Sequence, residues 1–160
     1  MPLISIRTAT NEDAPLILNF VRELAEYEKA PHEVKASSRD YETSLFAEDS
    51  FAHALICENN GIPIGYAVYF FNYSTWQGKP GLYLEDLYIS PDYRGLGAGK
   101  AMLKHLARIA LEKGCGRFEW SVLDWNKPAI NFYESIGARA QAEWVKYRLE
   151  GQSLNSFATS

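Results

Sequence analysis

Leu84-Glu85-Asp86-Leu87-Tyr88-Ile89-Ser90-Pro91-Asp92-Tyr93-Arg94-Gly95-Leu96-Gly97-Ala98-Gly99-Lys100 is the stretch that organises this chain. An apolar run with two embedded carboxylates passes through a proline turn into a glycine-rich loop, and a long amphipathic segment follows at once. Gly95, Gly97 and Gly99 carry no Cβ, so the backbone amides there can approach an anion closely. The segment after them predicts a helix, whose first amides lack intrahelical acceptors and whose dipole favours negative charge. The stretch reads as a pyrophosphate cradle with Arg94 adding positive charge; the plainer reading is a helix-capping loop. Two familiar phosphate loops do not fit. Gly99-Lys100 is followed by Ala101 rather than Ser or Thr, and the glycines alternate instead of running Gly-x-Gly-x-x-Gly.

Composition bounds the rest. A chain of 160 residues, 47% hydrophobic and 14% aromatic, suits one domain with a real core, residues 1–160, and excludes disorder. A net charge of -4 argues against a nucleic-acid partner and is compatible with a cationic one. Met1-Pro2-Leu3-Ile4-Ser5-Ile6-Arg7 has no signal-peptide pattern, and no apolar run nears the ~20 residues of a membrane span. A cytoplasmic protein with no membrane partner is expected. Cys57 and Cys115 have no metal-type spacing, so no metal and no disulfide are expected. His32, His53 and His105 fit no constellation.

In chain order, Leu3 to Arg7 alternates as a first strand. Thr10 with Asp13 forms a capping-box pattern, and Ile17, Phe20, Val21 and Leu24 line one face of a helix stopped by Pro31. Ser38 to Phe46 reads as a short second helix. Phe51 to Cys57 and Ile62 to Phe71 are strands joined by an Asn60-Gly61 hairpin signal, and Asn72 to Gly81 is a loop. Leu82 to Ile89 is the strand feeding the glycine loop, and its helix extends to about Lys113 before Gly114 and Gly116 break it. Phe118 to Leu123 is another strand, Asp124 to Pro128 opens a helix ending at Gly137, and Trp144 to Leu149 is a last strand. The order predicts an α/β domain with a mixed sheet flanked by helices.

A second signature lies in Trp125-Asn126-Lys127-Pro128-Ala129-Ile130-Asn131-Phe132-Tyr133-Glu134-Ser135-Ile136-Gly137. Arg94-x-x-Gly-x-Gly99 resembles the coenzyme A loop of the GNAT superfamily of N-acetyltransferases, and Asn126-x-x-Ala-x-x-Phe-Tyr-x-x-x-Gly137 resembles its closing motif. More narrowly, Trp76-x-Gly-Lys79, Leu82-Tyr83-Leu84-Glu85-Asp86 and Leu24-Ala25-Glu26-Tyr27-Glu28 are similar to the diamine branch, which contains the spermidine/spermine and thialysine acetyltransferases. The resemblance covers essentially the whole chain. Lys127 and Ser135-Ile136 depart from the spermidine/spermine members, as does the tail from Gln141, which bears on which amine is taken.

The resemblance implies a GNAT fold, with a mostly antiparallel sheet, and acetyl-CoA as co-substrate. It places coenzyme contacts at Leu87, Tyr88, Ile89, Arg94, Gly95, Leu96, Gly97, Ala98, Gly99 and Lys100, and at Asn126, Lys127, Pro128 and Ala129. Acetyl transfer to an amine first needs a base, because an ammonium of pKa near ~10.4 has no lone pair. Glu85 is the candidate, directly or through water; the alternative is a charged residue on a solvated strand face. Glu85 and Asp86 are adjacent, so they point to opposite faces unless a bulge intervenes. The family's tyrosine at the position of Tyr133 protonates the leaving thiolate, with Phe132 expected in the core, and a backbone amide near Leu87 serves the oxyanion. Tyr27, Glu28, Glu85, Asp86, Glu119, Trp120 and Ser121 fall where the family contacts its amine, and a homodimer is expected. Three functions stay open: an acetyltransferase for a polyamine or a thialysine-like amino acid, a protein or peptide amine acetyltransferase, and a silent acetyl-CoA-binding module.

Overall fold

The computed structural model describes residues 2–160, which form two compact units, Met1–Ser121 and Val122–Ser160. The first is a five-stranded sheet of order β1-β2-β3-β4-β5 with helices against it. Its strands are β1 (Ile4–Thr8), β2 (Ala52–Asn59), β3 (Ile62–Ser74), β4 (Lys79–Ile89) and β5 (Arg117–Trp120). Neighbours pair antiparallel except β4 with β5, which run parallel. The parallel pair needs a crossover, and α3 (Ala98–Glu112) supplies it. Helices α1 (Ala14–Tyr27) and α2 (Ser38–Ser44) lie between β1 and β2 in the chain.

Local chemistry starts α1 as its sequence predicts. The Thr10 N–H donates to Asp13 Oδ2 at 2.7 Å in the capping box, and Arg7 grips both Asp13 oxygens at 2.8 and 2.9 Å. Arg7 also donates to Glu58 at 3.0 Å, tying β1, the turn and β2 together. The Arg7 hydrogen bonds hold the Asp13 carboxyl below the usual range. The apolar stripe of α1 then buries Ile17 and Phe20 on the sheet, where Phe20 stacks on Tyr66 with ring centroids 5.9 Å apart. Ile56, Ile64, Leu82, Met102 and Leu106 are fully buried. The β2–β3 hairpin turns at Asn60 and Gly61, with φ of 52° and 81° as its sequence demands.

Three strand boundaries differ clearly from expectation. Strands β3 and β4 reach further, to Ser74 and back to Lys79, because Ser74 closes a four-residue turn by itself: its Oγ accepts from Gln77 N–H at 3.2 Å and its carbonyl from Gly78 N–H at 2.8 Å. Strand β5 ends at Trp120 rather than Leu123, since its pairing with β4 ends there.

The second unit carries α4 (Lys127–Ser135) and α5 (Gly151–Thr159). Asn126 caps α4, its side chain accepting from the Ala129 N–H at 3.4 Å, and Pro128 sits in the first turn. The expected last strand does not form. Residues 144–149 have no ladder, and Trp144, Val145, Tyr147 and Leu149 are exposed. Alternation supplies a strand's faces but not its partner, and a lone strand leaves its backbone groups to water. Helix α5 was not anticipated from the sequence. Phe132 is half-buried beside Tyr133, ring centroids 6.0 Å apart, rather than in a core.

Candidate active site

The register between β3 and β4 slips once: Val68 faces Asp86, but Tyr69 faces Leu84. Glu85 is the extra residue of a β-bulge. A bulge interrupts alternation and re-aims side chains, so Glu85 and Asp86 are not sent to opposite faces as in a regular strand. Their charges interact, and Glu85 helps raise the Asp86 carboxyl. Glu85 itself is exposed, whereas Asp86 is partly buried.

The β4–β5 pairing stops at the same place. Partners run from Gly81 with Arg117 to Leu84 with Trp120. From Glu85 to Ile89, β4 keeps β3 on one side, and among the described residues no strand pairs with its other edge. The backbone of Leu87, Tyr88 and Ile89 thus presents a strand edge that an extended ligand can join by hydrogen bonds.

Around Asp86 the structure gathers groups from four elements. Tyr66 on β3 is fully buried, and its hydroxyl donates to Asp86 Oδ2 at 2.9 Å. Burial drives the Asp86 carboxyl upward, the Tyr66 bond opposes this, and Glu85 adds to the rise. Glu28, after α1, is also raised, by desolvation and then by the charge of Asp86. Tyr41 on α2 is raised by burial and by Asp86. Among the described residues neither Asp86 nor Glu28 forms an ion pair. Two carboxylates that resist ionisation and lack a counter-ion make a site for a cation. A cleft of about 320 Å³ opens at Glu28, lined also by Val21, Leu24, Val34, Lys35 and Tyr41.

At the other end of β4, Ser90 leads through a turn at Pro91–Tyr93 into the loop. Arg94 donates from Nε to the Ile89 carbonyl at 2.9 Å, and its guanidinium lies 5.2 Å from the Tyr27 ring and 5.6 Å from the Tyr88 ring. The tyrosines position the cation by cation–π attraction. Tyr88 donates to Glu23 at 2.9 Å, and burial followed by that bond pushes its hydroxyl to about 12. Gly95 and Gly97 have φ of 84° and 83°, which an L side chain rarely adopts, and no heavy atom lies within 4 Å of a Cβ built on Gly95, Gly97 or Gly99. The α3 ladder begins with Ala101 N–H to Gly97 O at 2.9 Å, so the amides of Ala98, Gly99 and Lys100 precede it without helical acceptors. No acidic residue lies in that first turn. Open space, orphan amides and nearby Arg94 and Lys100 fit a pyrophosphate.

The remaining predicted residues are placed as follows. Glu119 is paired with Arg117 at 3.1 Å, and Ser121 Oγ lies 2.7 Å from the Tyr83 hydroxyl. Trp120 is half-buried and packs on Phe118, ring centroids 4.9 Å apart. Leu96 is exposed. Asn126, Lys127, Pro128, Ala129 and Tyr133 belong to the second unit, where Asn126 starts α4 and Tyr133 is half-buried on it. Sequence reasoning missed Tyr66, Tyr41 and Glu23. For Tyr66 a signal existed: a tyrosine inside the apolar run Ile62–Phe71 needs a partner for its hydroxyl.

The family model described as "Acetyltransferase (GNAT) family" matches residues 18–138. The chain belongs to the GNAT acetyltransferases. It is an acetyl-CoA-dependent N-acetyltransferase. It is 41% identical to the thialysine N-epsilon-acetyltransferase of Sus scrofa over 99% of each chain. It is 34% identical to the human spermidine/spermine N(1)-acetyltransferase-like protein 1, covering 99% of this chain and 24% of that protein. Among solved structures, the integron cassette protein of V. cholerae is 30% identical with a TM-score of 0.83, covering 98% of each chain. The β4 bulge, the shortened β4–β5 pairing and the glycine loop thus stand in an acetyltransferase of the diamine branch.

Proposed function

We propose that this acetyltransferase, acting as one domain over residues 1–160, acetylates a primary amine of a small cation, a polyamine or a thialysine- or lysine-like amino acid. The observation that carries this reading is the pair Asp86 and Glu28, both held up by desolvation and neither matched by a cation of the chain. A substrate ammonium supplies the missing charge. The names of the relatives point the same way.

Glu85, directly or through water, takes the proton from the ammonium. The freed nitrogen lone pair attacks the thioester carbonyl of acetyl-CoA, and a C–N bond forms as the carbonyl electrons move to oxygen. A backbone amide near Leu87 stabilises that oxyanion. The C–S bond then breaks with its electrons leaving on sulfur, Tyr133 gives its proton to the thiolate, and the proton that the attacking nitrogen still sheds to become the amide restores the tyrosine through water. Gly95, Leu96, Gly97, Ala98, Gly99 and Lys100 with Arg94 hold the pyrophosphate; Leu87, Tyr88 and Ile89 pair with the pantetheine arm; Asn126, Lys127, Pro128 and Ala129 hold the coenzyme from α4. Tyr27, Glu28, Asp86, Glu119, Trp120 and Ser121 line the amine side. Transfer is direct, in a ternary complex. Burial raises the Cys57 thiol to about 11 and also raises Cys115, which disfavours an acyl-thiol relay.

A homodimer in the cytoplasm completes the proposal. The exposed apolar residues of 144–149 offer a surface for a second copy, and the free thiols suit a reducing compartment. No helix among the described residues is long and apolar enough to cross a membrane. The test is acetyl-CoA-dependent thiol release with spermidine, thialysine, lysine and a small diamine offered separately. Turnover of at least one supports the reading. No turnover of any, with acetyl-CoA bound, overturns it in favour of a peptide amine or a silent module.

A further inference from the structure

Arg94 opens the glycine loop, and three contacts already fix it. Its Nε donates to the Ile89 carbonyl at 2.9 Å, so the guanidinium is pinned to the last residue of β4, while its Nη donors stay unspent among the described residues. The guanidinium carbon lies 5.2 Å from the Tyr27 ring centroid and 5.6 Å from that of Tyr88, both within cation–π range. Tyr88 is itself held. Its hydroxyl donates to Glu23 Oε1 at 2.9 Å, and Asn19 donates to the other oxygen of that carboxylate at 2.8 Å. Glu23 and Tyr27 stand four residues apart on α1, hence on one face of it. The last turn of α1 therefore reaches the loop arginine twice, directly through Tyr27 and from Glu23 through Tyr88.

These contacts do not belong to the core, since Tyr27 is 42% exposed and Arg94 is exposed. An exposed arginine samples many rotamers, and ordering it on an anion costs part of the binding free energy. Here the protein's own contacts have already removed that freedom. Resting on the pyrophosphate reading of the glycine loop, we propose that α1 is part of the coenzyme site: Tyr27, and Glu23 acting through Tyr88, are positioning residues that hold the Arg94 fork ready for the pyrophosphate. With Nε spent on Ile89, the Nη edge is what remains for the phosphate oxygens. The ring of a residue placed on the amine side by resemblance thus serves the coenzyme as well, while its neighbour Glu28 faces the charge of Asp86.

The experiment measures the Kd of acetyl-CoA by calorimetry for the wild type, Tyr27→Leu, Tyr27→Phe and Glu23→Ala, each with Arg94 and with Arg94→Met. The series is repeated with 3′-dephospho-CoA, which keeps the pyrophosphate. Tyr27→Leu is expected to weaken binding about 3- to 10-fold, the cost of ordering one freed arginine, and Glu23→Ala to weaken it in the same direction. Tyr27→Phe keeps the ring and is expected to keep the affinity. With Arg94→Met these differences are expected to vanish, because the side chain being positioned is gone. Tyr27 is exposed, so its variants are expected to fold, and thermal melts check this. An unchanged Kd in Tyr27→Leu overturns the proposal, and so does an equal loss with and without Arg94. A loss seen with acetyl-CoA but absent with 3′-dephospho-CoA moves Arg94 to the 3′-phosphate and also overturns it. So does a rise in the amine KM of Tyr27→Leu at unchanged Kd, which leaves Tyr27 to the amine side alone. If no amine is turned over but the Arg94-dependent loss is found, the reaction proposed above fails and the α1 clamp stands.

Discussion

Asp86→Asn separates charge from shape at the centre of the site. The amide oxygen of Asn can still accept the Tyr66 hydroxyl, which now donates to Asp86 at 2.9 Å, so the buried tyrosine keeps its partner. What is lost is the ionisable group that desolvation and Glu85 hold above the ordinary carboxylate value. Native Asp86 has a pKa above that of the unfolded chain, so between the two values the native state keeps a proton the unfolded state has released. Stability therefore falls as pH rises through that interval, by up to about 1.4 kcal/mol per unit. Asp86→Asn removes that slope. Urea midpoints of both proteins from about pH 4 to 8 are expected to lie closest in acid and to separate as pH rises, with the variant gaining on the wild type towards the alkaline end. Activity moves the other way. A hydrogen bond between an ammonium and a carboxylate contributes about 1.5–3 kcal/mol, so KM for the amine is expected to rise about 10- to 100-fold. Glu28 supplies an internal control: Asp86 raises its carboxyl, so an NMR titration should show Glu28 shifting down in the variant. An unchanged stability slope together with an unchanged KM would refute the reasoning.

Four further outcomes are expected. Tyr66→Phe removes the bond that opposes the rise of Asp86, so the acid limb of the pH–rate profile should move to higher pH; a limb that stays put denies Asp86 control of it. Glu85→Gln is expected to lower turnover about 10²- to 10⁴-fold, most strongly near neutrality, and a wild-type rate and profile would exclude Glu85 as the base. Gly97→Val places a β-branched residue at φ 83° in the coenzyme loop, so acetyl-CoA affinity measured by calorimetry should fall at least about tenfold; unchanged affinity sinks the cradle. Asp13→Ala strips the capping box and leaves Arg7 with only Glu58, so a loss of about 2–4 kcal/mol in urea unfolding is expected. Because Arg7 holds native Asp13 below its unfolded value, that contribution is present above the unfolded value and is lost as pH falls through the native one.

What the sequence revealed and what it concealed divide along physical lines. The capping box at Thr10 and Asp13, the Asn60-Gly61 turn and the Gly97 start of α3 are set by neighbours in the chain, and they were legible. The apolar runs marked the four strands before the glycine loop for the same reason. The Glu85 bulge was not legible as a fact, only as a condition, because a bulge is a relation between Val68-Tyr69 and Leu84-Asp86 on two strands. Nor could sequence show that β5 abandons β4 after Leu84, or that Tyr66 reaches Asp86 across twenty positions. Residues 144–149 make the same point from the other side, since their alternation describes a strand and no ladder forms. Periodicity specifies a face; pairing requires a partner.

These two hidden relations fall on the same residues. From Lys79 to Leu84, β4 is an ordinary interior strand, hydrogen-bonded to β3 and, over its last four residues, to β5. At Glu85 it bulges on the β3 side and loses β5 on the other, so one residue marks both changes. Glu85 and Asp86 feel each other's charge at this point, which is the amine side in the function proposed above. The loss of β5 leaves Leu87, Tyr88 and Ile89 with an edge that no strand among the described residues pairs with and that runs into Arg94 and the glycine loop, the coenzyme side in the function proposed above. In that proposal one strand sets where the amine and the thioester meet. Deleting Glu85 would make Leu84 and Asp86 neighbours opposite Tyr69 and Val68, so the pairs on both sides of the bulge would join in one regular register without moving Leu82 or Leu84 against β3. Leu82 and Leu84 would keep their buried places, so the core does not require the bulge. Deleting Glu85 is therefore expected to cost turnover far more than stability, and equal losses of both would show that the bulge serves the fold instead.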